Sequence, residues 1–310
     1  MADSIDILVV NYRSGDLLVN SLEVGERFGG AGTGLVVVDN SPEDGAVENA
    51  RRAYPRLTVV SNRENRGFAA AVNQGLQHCT APIVLLLNPD VSHMDGDITN
   101  VYRIFGDDPR VAAVGVRLLN TDGTLQKNAR ISLTTFDILV DCLGAWSRFP
   151  RRSHKSSYGD WGYDTQREVD VIYGAVLALR RAAIDEVGLF DEQFFVYAEE
   201  TDWLARARTA GWKVVFTPTV QAVHRQRAST DASATILDLL LLESYYSYAS
   251  KHLGHGRAAV LRASLLTIDA TRLAVATARG SNKKELRKML LHRIKIHLGS
   301  SVVPTVTGNR

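Results

Sequence analysis

Short apolar runs alternate with longer segments of helical periodicity through the first 110 residues of the chain. The apolar runs predict strands at residues 5–10, 35–38, 57–61 and 83–87, and the segments between them predict helices at 16–28, 43–54 and 67–78. Strands that alternate with helices are typical of βαβ units. The pattern therefore predicts an α/β fold with a mostly parallel central sheet.

The pattern is less regular after residue 110. Residues 111–116, 169–179, 213–216 and 220–223 predict further strands, and residues 134–163 predict a long irregular loop or lid. From about residue 236 to residue 298 the periodicity is helical. We therefore expect one α/β domain over residues 1–230 and a C-terminal helical extension over residues 231–310.

Each of the first four predicted strands ends in polar side chains. Ligands of parallel sheets bind beyond the carboxyl ends of the strands, so these side chains predict a polar pocket. Asn and Asp also make ordinary turns at such positions, and that interpretation remains open for each of them. The candidate pocket residues are Asn11, Tyr12, Asp39, Asn65, Arg66, Gly67, Asn73, Asn88 and Asp90.

Four of these candidates suggest the binding of a nucleotide. Asp39 follows an apolar run, where a carboxylate can accept a base N–H or hold a ribose hydroxyl. Gly67 begins a helix whose free N–H groups, next to Arg66, favour an anion. Asp90 suits Mg²⁺ or Mn²⁺, which take one or two carboxylates and fill their other positions with phosphate oxygens and water.

A cluster of acids, Glu199, Glu200 and Asp202, begins a predicted helix. Acids in a first helical turn often only complement the helix dipole, but burial beside a pocket would raise a pKa toward that of a general base. His224 ends the last predicted strand. It is either a metal ligand or an ordinary packed histidine.

The net charge of +2 conceals a basic C-terminal region, because residues 251–310 hold 12 Lys and Arg against two acids. In residues 283–298 an apolar residue recurs every four positions, at Leu286, Leu290, Ile294 and Leu298. This pattern predicts a helix that lies on an anionic membrane surface, or one that packs on its own domain or in a homodimer. Two cysteines and the lack of a long apolar run predict a cytoplasmic protein, peripheral at the inner face of the membrane.

Several stretches of the sequence, taken in order, carry a resemblance to one family. They are VVNYRS at 9–14, VVVDNS at 36–41, NRENRGFAAAVNQG at 62–75, LLLNPD at 85–90, GAVLALRR at 174–181, FDEQFFVYAEETDW at 190–203 and the His of VHRQRAST at 223–230. From residue 5 to about residue 230 the chain resembles family 2 glycosyltransferases of GT-A fold, especially their bacterial rhamnosyltransferase-like branch.

The resemblance implies a role for each matching residue. Asp39 would contact the nucleotide base, Asn65 to Asn73 would flank the donor, and Gly174 would line the same site. Asp90 matches the last Asp of the family's D-x-D motif, with Asn88 in place of the first acid, and His224 matches a histidine that completes the Mg²⁺ or Mn²⁺ site. Glu200 matches the catalytic base, usually Asp, and Glu199 or Asp202 are the alternatives.

The expected function is therefore an inverting glycosyl transfer in bacterial cell-surface polysaccharide synthesis. The resemblance implies L-rhamnose, moved from dTDP-L-rhamnose to a glycan or a polyprenyl-diphosphate-linked sugar. Galactosyl or galactofuranosyl transfer from a UDP-sugar is an alternative donor chemistry. A nucleotidyltransferase would carry a Gly-rich, basic signature near the N-terminus, which this sequence lacks at VVNYRSGDLL. A non-catalytic nucleotide-binding module would not need the acid cluster or His224. No nucleic acid is expected as a partner.

Overall fold

The computed structural model describes residues 4–225, 234–278 and 284–302. The chain divides into two compact units. The first holds residues 1–132, 154–192 and 199–231, and the second holds residues 133–153, 193–198 and 232–310. The predicted boundary near residue 230 lies outside the described residues, so the division into domains 1–230 and 231–310 stays a prediction.

The strands, in chain order, are β1 (Ile5–Asn11), β2 (Gly34–Asp39), β3 (Thr58–Ser61), β4 (Ile83–Leu87), β5 (Val91–Asp95), β6 (Val111–Leu119), β7 (Leu125–Gln126), β8 (Ala129–Arg130), β9 (Arg167–Glu168), β10 (Val171–Ile172), β11 (Val176–Arg180) and β12 (Lys213–His224). The helices are α1 (Leu17–Gly29), α2 (Ala46–Ala53), α3 (Phe68–Leu76), α4 (Ile98–Asp107), α5 (Thr135–Cys142), α6 (Pro150–Ser156), α7 (Arg181–Val187), α8 (Glu199–Thr209), α9 (Ala234–Tyr248), α10 (His255–Ala278) and α11 (Lys284–His297). Short 3₁₀ turns at Pro42–Asp44 and Trp146–Arg148 and a π turn at Ala249–Leu253 complete the described elements.

The first unit is built on one large sheet. Its strand order, over the described residues, is β3-β2-β1-β4-β11-β6-β12-β5, with β7 beside β6 and β9 beside β12. Strands β3, β2, β1 and β4 are parallel, as the sequence predicts, whereas β11 runs antiparallel between β4 and β6. The sheet is therefore mixed rather than mostly parallel in its second half, because an apolar run indicates burial and not strand direction.

Packing on both faces explains why the first strands are almost wholly apolar. Every residue of β1 and β4 is buried, and an apolar cluster covers each face of the sheet, one around Leu22 of α1 and the other around Leu76 of α3. The polar residues that end these strands therefore meet at one edge. The register places Asn11 opposite Asp39 and Asp39 opposite Ser61.

The prediction of an irregular segment at residues 134–163 is wrong, because α5 and α6 lie within it. Thr134 and Asp137 form a capping box at the start of α5, and Arg152 pairs with Asp137 at 2.5 Å. A Thr-x-x-Asp sequence before an apolar run is a signal for a helix start that identifies this helix in retrospect. A role for this segment as a lid stays a prediction.

The second unit packs α9, α10 and α11 with α5 around a separate apolar cluster that includes Tyr246, Leu261 and Leu265. Leu290 and Ile296 of α11 are buried, but Leu286 and Leu298 are exposed. The inward face of α11 therefore differs from the predicted apolar stripe at residues 286, 290, 294 and 298. The first residue of the predicted helix, 283, lies outside the described residues. No helix in the described residues is long and apolar enough to cross a membrane.

Candidate active site

Asn11 organises the edge of the sheet where β1 and β2 end. Its Nδ2 donates to Asp39 Oδ1 at 2.8 Å and to Ser41 Oγ at 3.2 Å, and its Oδ1 accepts a hydrogen bond from the Ser14 hydroxyl. The backbone N–H of Arg13, whose φ of 51° is left-handed, donates to Ser41 Oγ at 2.7 Å. Such a backbone conformation is unfavourable for a non-glycine residue and is often found at binding sites. These contacts fix the first predicted pocket residues.

Asp39 is a buried carboxylate within this network, with 2% of its surface exposed. Burial raises the pKa of Asp39 above its ordinary value and outweighs the hydrogen bonds from Asn11 and Ser41, which lower it. Tyr12, which follows Asn11, is half-buried, and the Arg13 guanidinium lies 5.5 Å from its ring centroid. The carboxylate and the aromatic ring together suit recognition of a base or a ribose.

The N-terminus of α3 forms a second wall of this edge. Gly67 precedes the helix with a φ of 83°, a conformation that favours glycine. Asn65 Oδ1 accepts from Gly67 N at 2.9 Å, and Asn40 Nδ2 donates to Gly67 O at 3.1 Å. Arg66 is exposed next to the free N–H groups of the first helical turn. This arrangement can bind an anion.

Asn73 is placed differently from the other candidates. It is buried, and its Nδ2 donates to Phe190 O at 2.9 Å and to Glu192 Oε1 at 3.0 Å, while its Oδ1 accepts from Phe190 N at 3.0 Å. The side-chain amide therefore ties α3 to a segment more than 100 residues away. Its predicted contact with the donor stays a prediction, and the structure gives Asn73 a role in packing.

Asp90 and His224, predicted as metal ligands, are brought together by β4 and the end of β12. Asp90 Oδ1 lies 3.1 Å from His224 Nε2, and Arg225 N donates to Asp90 O at 3.0 Å. Asp90 Oδ1 is buried and accepts no hydrogen bond in the described part of the chain. An acceptor that is buried without a donor is costly, so this atom is well suited to a cation.

These two residues fit a divalent ion that is completed by its substrate. The described residues contain no group of three or more His, Cys, Asp or Glu side chains arranged for a metal. Mg²⁺ and Mn²⁺ bound with a nucleoside diphosphate need only one or two protein ligands, since phosphate oxygens and water supply the rest. Neighbouring ligands in an octahedral shell lie about 3 Å apart. The observed separation of Asp90 and His224 agrees with that spacing.

The backbone joins the Asp90 turn to the acid cluster. Asn88 N donates to Ala175 O at 2.9 Å, and the neighbouring Gly174 N–H donates to the Glu200 carboxylate. A Cβ at residue 174 would lie 3.7 Å from Glu200 Cγ, so a larger side chain there would crowd the carboxylate. Asn88, Gly174 and Glu200 therefore lie at one position along the sheet edge.

The three acids at the start of α8 have distinct surroundings. Glu199 is 5% exposed, and its Oε2 has no hydrogen-bond partner in the described residues. Burial and the neighbouring Glu200 charge raise the pKa of Glu199 well above its ordinary value. Burial also raises the pKa of Glu200, although hydrogen bonds from Glu199 and from the Gly174 and Thr201 N–H groups oppose this rise. Burial therefore disfavours the charged form most strongly at Glu199, and Glu200, which keeps hydrogen-bond donors, is the better candidate for the carboxylate.

Asp202 is a weaker candidate for a base than its neighbours. It is fully buried, and it accepts from Arg206 Nε at 2.9 Å. The same guanidinium donates to Val187 O and Leu189 O. Because its carboxylate is already bound by Arg206, Asp202 is better suited to fixing α8 than to contacting a substrate.

Sequence reasoning missed two residues of the site. Ser41 bridges Asn11 and Arg13, and its place at a polar strand end within VVVDNS was a usable signal. Gln126 Oε1 lies 2.9 Å from His224 Nδ1. Gln126 lies in the two-residue strand β7, 98 positions before His224, and no local pattern in the sequence identifies this contact.

Comparison with known proteins gives one family match. The sequence model of Glycosyl transferase family 2 matches residues 6–188, which is more than half of the chain. N-acetylglucosaminyl-diphospho-decaprenol L-rhamnosyltransferase of Mycobacterium tuberculosis is 27% identical over 282 residues, covering 86% of this chain and 91% of that protein. The low-salt glycan biosynthesis hexosyltransferase Agl10 of Haloferax volcanii is 25% identical, over 73% of this chain and 68% of its own length.

Among solved structures, GalNAc-T7 with UDP, GalNAc and Mn²⁺ is similar to this chain. Its TM-score is 0.51 at 14% identity, and the match covers 97% of this chain and 57% of GalNAc-T7. A likeness at this identity concerns the fold alone. It agrees with the GT-A fold expected from the sequence.

Proposed function

Since this chain belongs to glycosyl transferase family 2, we propose that it is a metal-dependent, inverting enzyme that moves a sugar from a nucleoside diphosphate to a hydroxyl of a glycan or lipid-linked sugar. One observation carries the proposal. Asp90 Oδ1 is buried, accepts no hydrogen bond in the described residues and lies 3.1 Å from His224 Nε2. It lies on the same sheet edge as the hydrogen-bonded carboxylate of Glu200.

The residues on this edge have separate roles in a single nucleophilic displacement at the anomeric carbon. Glu200 accepts the proton of the acceptor hydroxyl, whose oxygen then attacks the anomeric carbon. The bond from that carbon to the diphosphate oxygen breaks on the opposite face, its electron pair leaves with the nucleoside diphosphate, and the configuration inverts. Glu199, whose pKa burial and the Glu200 charge raise well above its ordinary value, would take up a proton more readily than Glu200 and so favour the ionised form of Glu200 in this step.

Asp90 and His224 are the residues that would hold the divalent cation. When bound, Mg²⁺ or Mn²⁺ supplies positive charge beside the leaving diphosphate. Asp39 and Tyr12 would contact the nucleoside, and Arg66 with the start of α3 would face the phosphates. Asn65 and Gly67 shape that turn through their mutual hydrogen bond.

We further propose L-rhamnose as the sugar, dTDP-L-rhamnose as the donor and a polyprenyl-diphosphate-linked sugar as the acceptor. The support is the similarity to a rhamnosyltransferase whose name specifies an N-acetylglucosaminyl-diphospho-decaprenol acceptor, over 86% of this chain. Galactosyl or galactofuranosyl transfer from a UDP-sugar is the alternative outcome of the test below.

A thermal-shift screen of nucleotide sugars, with and without Mn²⁺, tests the class and the donor together. We expect dTDP-L-rhamnose to raise the melting temperature only in the presence of the metal. Stabilisation by UDP-galactose instead would change the donor. Stabilisation by no nucleotide sugar would support a binding module without transfer. Incubation with a GlcNAc-diphosphate-polyprenol, followed by mass spectrometry, then tests the acceptor.

A lipid-linked acceptor places the enzyme at the inner face of the cytoplasmic membrane. The outward face of α11 consists of three exposed lysines and two exposed leucines at helical spacing: Lys284, Lys288, Leu291, Lys295 and Leu298. Lysines that reach lipid phosphates and leucines that enter the interface are the composition of a helix on an anionic bilayer. We propose that this face contacts the membrane.

Sedimentation with vesicles tests the membrane proposal. We expect binding to phosphatidylglycerol vesicles at low salt, none to phosphatidylcholine vesicles, and loss of binding when Lys284, Lys288 and Lys295 are replaced by Glu. Replacement of the exposed Arg51, Arg52 and Arg56 by Glu makes the same change in charge elsewhere and is the control. Equal binding by both triple variants contradicts the proposal, and a concentration-dependent homodimer lost only on changing the α11 lysines would assign the face to a second copy.

A further inference from the structure

Gln126 contacts one of the two proposed metal ligands and has no place in the mechanism above. Its side chain is buried, with Oε1 2.9 Å from His224 Nδ1 and Nε2 3.2 Å from Asn120 Oδ1. An amide group has a donor end and an acceptor end, so the partner at one end decides what the other end can do. The orientation of Gln126 therefore depends on Asn120.

Asn120 is oriented in turn by two residues of the turn that follows β6. Thr124 Oγ1 lies 2.6 Å from Asp122 Oδ1, and a carboxylate only accepts, so the threonine hydroxyl donates to it. Asn120 Nδ2 donates to Thr124 Oγ1 at 2.9 Å. The Asn120 Oδ1 atom consequently faces Gln126 as an acceptor, and Gln126 Oε1 faces the histidine as an acceptor.

This chain of hydrogen bonds assigns the tautomer of His224. Because Gln126 Oε1 can only accept, Nδ1 of the neutral imidazole carries the proton and Nε2 carries the lone pair. Nε2 is the atom that lies 3.1 Å from Asp90 Oδ1. The two atoms are close but are not aligned as a hydrogen bond in the described residues.

We infer that Gln126 is a positioning residue that holds His224 as its Nδ1–H tautomer and so keeps Nε2 open for a divalent cation beside Asp90. Histidines that bind metals generally donate their other ring N–H to a fixed acceptor, which sets the ring orientation and raises the basicity of the ligand nitrogen. Here a neutral amide fills that role, oriented through Asn120 and Thr124 by the Asp122 carboxylate. The inference rests on the proposed function for the identity of the ion.

The tautomer is measured without metal, nucleotide or turnover. Long-range ¹H–¹⁵N correlation spectra of the full-length, ¹⁵N-histidine-labelled protein at alkaline pH distinguish the two neutral forms, and His224→Gln identifies the signal. We expect the Nδ1–H pattern in the wild type and the Nε2–H pattern, which free histidine prefers, in Gln126→Leu. An Nε2–H pattern in the wild type would overturn the inference, whatever the protein transfers.

Metal affinity gives the second readout. Titration of Mn²⁺ in the presence of a nucleoside diphosphate, followed by electron paramagnetic resonance, should show roughly 10–100-fold weaker binding in Gln126→Leu. Gln126→Glu, which still offers an acceptor to Nδ1–H, should restore most of the affinity, and the exposed Gln77→Leu is the control. Equal affinity in Gln126→Leu and the wild type contradicts the inference. Failure of the wild type to bind Mn²⁺ at all contradicts the proposed metal site and leaves the tautomer result standing.

Discussion

Buried acids in the two units are held in opposite ways. Asp137 and Asp269 of the second unit pair with Arg152 and Arg293, and these partners hold both pKa values below the ordinary range although burial opposes them. The buried Asp90 and Glu199 of the first unit, and the half-buried Glu200 beside them, pair with no Arg or Lys among the described residues. Burial raises the pKa values of Glu199 and Glu200.

The difference separates acids that hold the fold together from acids that are open to a ligand or a proton. A buried carboxylate that is paired with arginine has its charge balanced within the protein. A buried carboxylate without a positively charged neighbour costs free energy in the unliganded protein. Such a carboxylate is expected where a ligand, a metal ion or a proton balances its charge. Asp202, paired with Arg206, belongs to the first kind although it lies in the acid cluster.

We expect the largest effect, on the free energy of unfolding, from replacing an acid that is paired with arginine. Asp269 accepts from Arg293 at 2.6 Å and from His297 at 3.0 Å, and all three side chains are buried. Asp269→Asn leaves the guanidinium without a counter-charge, which should lower the free energy of unfolding by about 3–5 kcal/mol. Urea denaturation measures the loss, with the exposed Asp238→Asn as the control. Because the pKa of Asp269 is lowered, its contribution is present above the ordinary value of 3.8 and is lost as the pH falls below it.

Removing an acid that has no Arg or Lys partner should affect ligand binding and not the free energy of unfolding. Asp90→Asn keeps the shape of the side chain but removes its charge, so we expect nucleotide-sugar binding in Mn²⁺ to weaken roughly 10²-fold, at the upper end of the range for residues that support a metal ligand. Calorimetric titration with and without Mn²⁺ measures this change. The nearby exposed Asp95→Asn is the control, and an unchanged response to metal in Asp90→Asn would rule out Asp90 as a ligand.

The smallest effect concerns the pH dependence of stability. Because the pKa of Glu199 is raised above its ordinary value of 4.5, the folded state loses stability as the pH rises from that value through the folded-state pKa. Glu199→Gln removes this loss and should be more stable than the wild type at neutral pH by about 1 kcal/mol, which is roughly 2–4 °C in a domain of about 150–250 residues. Melting curves from pH 5 to pH 8 measure it. A melting difference that does not vary with pH would contradict the raised pKa of Glu199.

Local patterns in the sequence predict the parallel half of the sheet and its polar edge well. Residues 5–10, apart from Asp6, and residues 83–87 are apolar because both faces of β1 and β4 are covered, and the chain must leave each strand through polar residues at the edge. The proximity of Asp90 and His224 needed the resemblance, since 134 positions separate them. The antiparallel direction of β11 could not be predicted. The direction of a strand depends on the strands with which it pairs, and its own apolar residues do not specify them.

The same limit applies to contacts that combine distant segments. The contact of Gln126 with His224 and that of Asn73 with Phe190 carry no local signal, because each joins segments that are distant in the sequence. In α11, counting apolar residues gives the wrong face because the inward side includes Arg293 and His297, which are buried by their contacts with Asp269. A pattern that treats charged residues as exposed misses a buried charged cluster.

Turnover and donor binding by Glu200→Gln, measured on the same preparation, test most directly the claim that an acid without an Arg or Lys partner performs the chemistry. We expect the metal-dependent thermal shift with donor to equal that of the wild type, while transfer to the acceptor falls by ~10²-fold or more, because the amide cannot accept the hydroxyl proton. Near-normal transfer by this variant would contradict the account.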